Sequence, residues 1–353
     1  ILSIINSVNS IITTIVQILV LILTRNYILY LLVALATNIL KNVVIGIVSW
    51  KMYPYLRKKL PDKLSDQEVG TIFKNSGALM IYRVNSTVMN ACDNLVLSSF
   101  LGLNIVGLYS NYLIFSKNFT NFINNIFSSM KASVGDLHAE GNSEREYQIF
   151  LSCNFMGAVI YGIAAVGLAV IANDVITVWI GSQYIISDVL PVLLAISMYL
   201  AGIQHINSIF RDAAGLFQQA KYRPLFATII NVSLSIFLVK DYGIHGVVAA
   251  TVISQMATYL WFDPIILCKY AFEISSAKYF KRNAAYAAVL IFAGILTYMV
   301  KIMLNIPILI RIGVEILVCV GSILAMFFGI WGRTEEANYL KCTVMKRIMR
   351  TKR

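Results

Sequence analysis

"SNYLIFSKNFTNFINNIFSS", residues 110–129, is long enough for a helix to cross a bilayer and half apolar, yet it carries five asparagines and a lysine. At ~100° per residue, Ser110, Asn111, Lys117, Asn118, Asn121, Asn124, Asn125 and Ser128 fall within one arc of ~140°. Phe115, Phe119, Phe122, Ile123 and Ile126 lie opposite. Such a helix has one apolar face and one face that is wet or hydrogen-bonded. Interhelical amide bonds contribute on the order of 1 kcal/mol in a bilayer and would account for any single asparagine as packing glue. Lys117 is harder to place, because a cation at the centre of a span costs about 2.5–3.5 kcal/mol on insertion scales and normally faces a cavity, a partner or a pathway.

Outward from this stretch the chain repeats the same length of segment. Of 353 residues, 58% are hydrophobic and only 13% charged, far from the composition of soluble domains. Apolar runs predict about ten helical spans at 1–23, 27–50, 76–99, 105–130, 149–172, 189–210, 223–239, 243–267, 283–304 and 308–331. The expectation is therefore an all-α, polytopic membrane bundle. Segments of about ten residues with alternating polarity, the mark of a transmembrane barrel, do not occur.

The net charge of +12 invites a nucleic-acid reading, which the distribution of charge rejects. Of 29 Lys and Arg residues, 22 fall in one set of alternate loops and the C-terminal tail, four fall in the other set (Arg25, Lys240, Lys301, Arg311), and three remain inside spans. By the positive-inside rule the rich side is cytoplasmic, so the C-terminus is expected inside, in a bacterial cytoplasmic membrane. The partners expected are the lipid bilayer and a lipid-borne substrate, with no nucleic acid.

Several chemistries are missing. There is no phosphate-cradling Walker loop, no metal-spaced His/Cys cluster and no Asp-x-Asp, and His138, His205 and His245 are far apart. The expectation is a protein that is not an enzyme, without metal or cofactor. Cys92, Cys153, Cys268, Cys319 and Cys342 are odd in number and read as packing residues. The three sequons, at Asn85, Asn118 and Asn231, lie within spans and carry no information.

The three intramembrane cations are Lys41, Arg83 and Lys117. Counting ~1.5 Å per residue, Lys117 lies ~18 Å and Lys41 ~21 Å below the outer edge, while Arg83, rising ~11 Å from inside a ~30 Å core, lies ~19 Å below it. A ring of positive charge at one level is what a translocated anion needs. Asp93 shares a span with Arg83 but is ~15 Å away along the axis, so a salt bridge between them is not expected. It is expected near the outer mouth, where proton coupling is one reading. With Asn85, Ser86, Thr87, Asn90 and Asn94 it makes a second polar surface, which helix packing would equally explain.

Four stretches, "CDNLVLSSFLGLNIVGLYSNYLIF" (92–115), "SVGDLHAEGNSEREYQIF" (133–150), "FRDAAGLFQQAKYRP" (210–224) and "DYGIHGVVAATVISQM" (241–256), resemble the lipid-linked oligosaccharide flippases of bacterial polysaccharide export, in the multidrug/oligosaccharidyl-lipid/polysaccharide exporter superfamily. The resemblance implies two six-helix lobes around a central cavity and a further helix pair. On that register 1–50 are the last two helices of an N-terminal lobe, 51–75 a basic cytoplasmic linker, 76–267 the C-terminal lobe, 268–331 a linker and the additional pair, and 332–353 a basic tail. About four N-terminal helices are expected to be missing. The substrate implied is an undecaprenyl-diphosphate-linked sugar repeat destined for capsule, O-antigen or exopolysaccharide, delivered to a polymerase machinery. On this reading Arg83, Lys117 and Lys41 bind the diphosphate, Asn111, Asn118, Asn121 and Asn125 bond sugar hydroxyls, and Asp93 lies at the mouth. A lipid II flippase would use the same cations. A multidrug/cation antiporter would want acidic residues deep in the spans, and a non-transporting scaffold or polymerase would pair its polar stripes or face them to lipid.

Overall fold

The structure is a computed structural model that describes residues 2–52, 65–304 and 306–334, with some side chains of the first turns of α1 and of much of α3 outside the described set. Among the described residues twelve α-helices follow in order: α1 (Leu2–Thr24), α2 (Tyr27–Met52), α3 (Asp66–Leu101), α4 (Leu103–Ser128), α5 (Lys131–Ala139), α6 (Ser143–Trp179), α7 (Val189–Ala213), α8 (Phe217–Ala220), α9 (Arg223–Thr258), α10 (Phe262–Tyr270), α11 (Ala277–Met303) and α12 (Ile308–Trp331). No strand occurs among the described residues. The protein is an all-α membrane bundle, as its composition requires: in hydrocarbon every backbone N–H must find its acceptor within the segment.

Helices occupy each of the ten expected segments. Among the described residues, six stretches are both long and apolar enough to cross a membrane: α2, α6, α7, the run from Phe217 to Tyr270, α11 and α12. α4 has 26 residues and does not reach that hydropathy, because its asparagines and lysine lower it. In α3, Ala91–Leu101 is an apolar stretch among the described residues. α3 and α4 are joined by Gly102, whose φ of 85° turns the chain in a single residue.

α9 is two antiparallel arms. A straight helix would hold Asn231 and Thr251 ~30 Å apart, yet Asn231 Nδ2 donates to Thr251 Oγ1 at 2.8 Å. The reversal is at Gly243, whose φ of 56° belongs to the left-handed region. Just beyond it, Gly246 faces the Leu238 carbonyl so closely that a Cβ would stand 2.4 Å from the oxygen. The arms match the separate expected spans 223–239 and 243–267.

Boundaries differ from expectation in three places, each for a local reason. α3 begins at Asp66, inside the expected linker 51–75, whose residues 53–64 lie outside the described set. The expected loop 131–148 contains α5, pinned by the Lys131–Asp212 ion pair at 2.9 Å to α7 and by His138 Nδ1 to Glu146 Oε2 at 3.0 Å to α6. The expected span 243–267 is interrupted at Tyr259–Trp261, because Pro264 in the first turn of α10 lacks an N–H and would clash with the residue 260 carbonyl of a continuous helix.

The chain divides into two compact units, Ile1–Gly70 and Thr71–Arg353. In the first, α1 and α2 form a hairpin around Arg25, which takes a positive φ of 49°, with Asn26 Oδ1 accepting from the Ile28 N–H at the start of α2. In the second, the 37-residue α6 runs through the centre, packed by α4, α7, α11 and α12. Phe150 shows the density of this core, its ring within 5.1 Å of Phe210 and Phe272 and 5.6 Å of Tyr279. Cys153, Cys268 and Cys319 are buried and unbridged, packing residues as read; Cys342 lies outside the described set.

Buried ion clusters hold the unit at both ends. At the end of the basic loops, Asp263 is fully buried between Arg211 (2.8 Å) and Arg223 (3.5 Å), and Gln204 donates to the same carboxylate. Arg211 and Arg223, counted among loop cations in the sequence, are therefore interior side chains only 4% and 2% exposed. At the other end Asp174 of α6 pairs with Lys301 and Arg311, both at 3.1 Å, and Arg311 reaches Glu315 at 3.6 Å. Those pairs bind α11 and α12 to α6.

Candidate functional site

The site is built on α4, and three faces of that helix can be told apart. One is buried: Tyr109, Tyr112, Ile123 and Phe127 pack into the unit. A second is apolar and uncovered by the rest of the chain, with Phe119 50%, Phe122 68% and Ile126 41% exposed, the character of a lipid-facing strip. The third is the polar arc, on which Lys117, Asn118, Asn121 and Asn125 are all exposed and Asn111 is half-buried. The helical-wheel reading of one polar and one apolar side holds, but most of the packing is done by the edge where aromatic and aliphatic residues meet.

The border of the polar arc nearest the core is sealed. Tyr161 of α6 donates its hydroxyl to Asn124 Oδ1. His205 of α7 sits 3.0 Å from Ser128 Oγ by Nε2 and also meets the Asn124 backbone. Asn124 and Ser128 are thus packing residues, and the free part of the arc starts at Lys117.

Lys117 forms no ion pair or hydrogen bond among the described residues, and its electrostatic neighbour is Asp93. Both Asp93 oxygens are engaged elsewhere: Thr251 Oγ1 lies 2.9 Å from Oδ2 and 3.1 Å from Oδ1, and Asn231 Nδ2 lies 3.5 Å from Oδ1. The structure brings Asp93 to the two arms of α9 rather than to the asparagines. It forms a half-buried group of oxygen atoms there, in which the buried Asn231 Oδ1 has no partner. Lys117 therefore keeps its charge available, attracted by Asp93 without being capped by it.

Lys41 belongs to the other unit, where its Nζ donates to Asn38 Oδ1 one turn back at 3.0 Å. Arg83 is on α3, with its side chain outside the described set. The sequence does not mark Tyr161 or Thr251, and it shows His205 only as an isolated histidine and Asn231 only as a sequon position. Asn231 and Thr251 carried a usable signal: each is ten residues from Asp241, so a turn there makes them face one another.

Fold and site together define a multi-pass helical membrane protein with a cationic, amide-rich helix surface left open by its own unit. A sequence profile of the family described as polysaccharide biosynthesis protein matches residues 2–188, more than half of the chain and all of α3 and α4. The chain belongs to that family, and its work lies in polysaccharide synthesis or export from a membrane. Neither curated proteins nor solved structures return a match.

Proposed function

We propose that this protein is a flippase, not an enzyme, which carries undecaprenyl-diphosphate-linked oligosaccharide repeat units from the inner to the outer leaflet of a bacterial cytoplasmic membrane. The observation that carries the reading is the open polar arc of α4. Exposed to hydrocarbon, Lys117 alone would cost about 2.5–3.5 kcal/mol, and each amide of Asn118, Asn121 and Asn125 would add the cost of an unbonded polar group, about 1–3 kcal/mol. A sum of that size is avoided when the arc borders a water-filled passage. A diphosphate there meets an uncapped ammonium, and sugar hydroxyls meet amides that both donate and accept. Alternating exposure of that passage to the two sides would complete the transfer. The basic loops support a cytoplasmic C-terminus, on the side where the lipid-linked substrate is assembled.

A strain lacking its flippase, complemented with the full-length gene, reads this directly. The wild-type gene is expected to restore surface polymer. Lys117→Gln combined with Arg83→Gln is expected to cut polymer output at least tenfold while the protein remains inserted at wild-type level. Undiminished output from that double variant refutes the assignment of the cations.

A further inference from the structure

The polar arc of α4 is asymmetric about Lys117. Toward the basic end, every residue on the free part of the arc is an amide: Asn118, Asn121 and Asn125. Toward the other end the same arc meets Ile114, 44% exposed, then Asn111, which is only half-buried, and Ser110, whose hydroxyl is spent on its own helix at the Gly107 carbonyl. The steps from Asn118 to Asn121 to Asn125 are ~4.5 Å and ~6 Å along the axis, close to one helical turn and to the length of one pyranose unit. From Lys117 to Asn125 the run is ~12 Å. No charged side chain lies between them.

The geometry points to a sugar track: resting on the reading of Lys117 as a diphosphate ligand, the glycan extends from that lysine toward the basic end along Asn118, Asn121 and Asn125, which bond the first about two to three sugars. Because amides donate and accept without charge, the track suits neutral, hydroxyl-rich hexoses and reads glycan length rather than acidity. The sugars on the phosphate-proximal part of the chain carry the affinity, and later ones hang free.

Binding to the full-length protein in lipid nanodiscs is measured with two probes, a polyprenyl diphosphate without sugar and the same lipid bearing a neutral linear trisaccharide. The trisaccharide probe is expected to bind about tenfold more tightly. Asn121→Ala with Asn125→Ala is expected to bring that ratio close to one, and Asn121→Gln with Asn125→Gln to retain most of it. Where the double alanine variant binds neither probe, Asn125→Ala alone reads the same ratio. A wild-type ratio near one, or a ratio unchanged in the alanine variants, overturns the track. Lys117→Gln separates the two readings: it is expected to weaken both probes equally at constant ratio. Unchanged binding of both would remove the diphosphate assignment, and with it the track's anchor.

Discussion

Thr251 contributes one hydroxyl to three jobs: it lies within hydrogen-bond distance of both Asp93 oxygens, accepts from Asn231, and is 3.3 Å from the Val247 carbonyl of its own arm. Thr251→Val keeps the shape and deletes that hydroxyl. The Asp93 carboxylate then retains one long bond from Asn231, and the loss expected is about 1–3 kcal/mol, the penalty of a buried polar group left short of partners. Thermal unfolding in detergent, followed by tryptophan fluorescence, checks it; Thr251→Ser, which restores the hydroxyl, should recover most of the loss. An unaltered midpoint in Thr251→Val would mean that water already bonds Asp93. The same residue pattern explains why Lys117 stays available: Asp93 is the nearby acid, and its oxygens point at α9.

At the scale of elements, α9 shows what the sequence could and could not tell. The two apolar runs and the "KDYGIHG" turn (240–246) were legible, because Gly and Asp interrupt hydrophobic periodicity. That the arms pack tightly enough to exclude any side chain at Gly246 was not, since a glycine in an apolar run looks the same in a loose helix and at a close crossing. Gly246→Ala would set a Cβ 2.4 Å from the Leu238 oxygen and 2.7 Å from its carbon. The obstacle is backbone, so no side chain can swing away to relieve it. We expect the arms to separate, Asn231 to lose Thr251, and the unfolding midpoint to fall by an amount equivalent to about 1–3 kcal/mol, as for other overpacked contacts. In the candidate site, the polar arc of α4 was fully readable from spacing. Its sealing by Tyr161 and His205 was not, because those partners come from helices 37 and 77 residues further along the chain, and nothing local in α4 records them.

At the scale of the whole molecule, charge does two things that a count from the sequence merges. Loop cations set orientation, whereas interior cations hold helices together, and Arg211, Arg223, Lys301 and Arg311 belong to the second group. The Asp174 cluster ties α6 to the pair α11–α12, and it is balanced: two carboxylates, Asp174 and Glu315, face two cations, Lys301 and Arg311. Asp174→Asn leaves an excess positive charge, and Lys301→Gln an excess negative one. Each single change is expected to cost about 2 kcal/mol, between the surface and fully buried limits, since Lys301 and Arg311 remain 19% and 25% exposed. The double variant Asp174→Asn with Lys301→Gln keeps Arg311 and Glu315 in balance, so its loss should be smaller than the sum of the two by about 1 kcal/mol or more. Thermal unfolding of the four proteins in one detergent gives this cycle directly. Additive losses would show that hydrogen bonds such as Lys301 Nζ to the Val170 carbonyl, rather than charge balance, fasten the helix pair to α6. A sub-additive result would make the pair an integral part of the unit that carries α4, so that any rocking motion that opens the polar arc must move α11 and α12 with it.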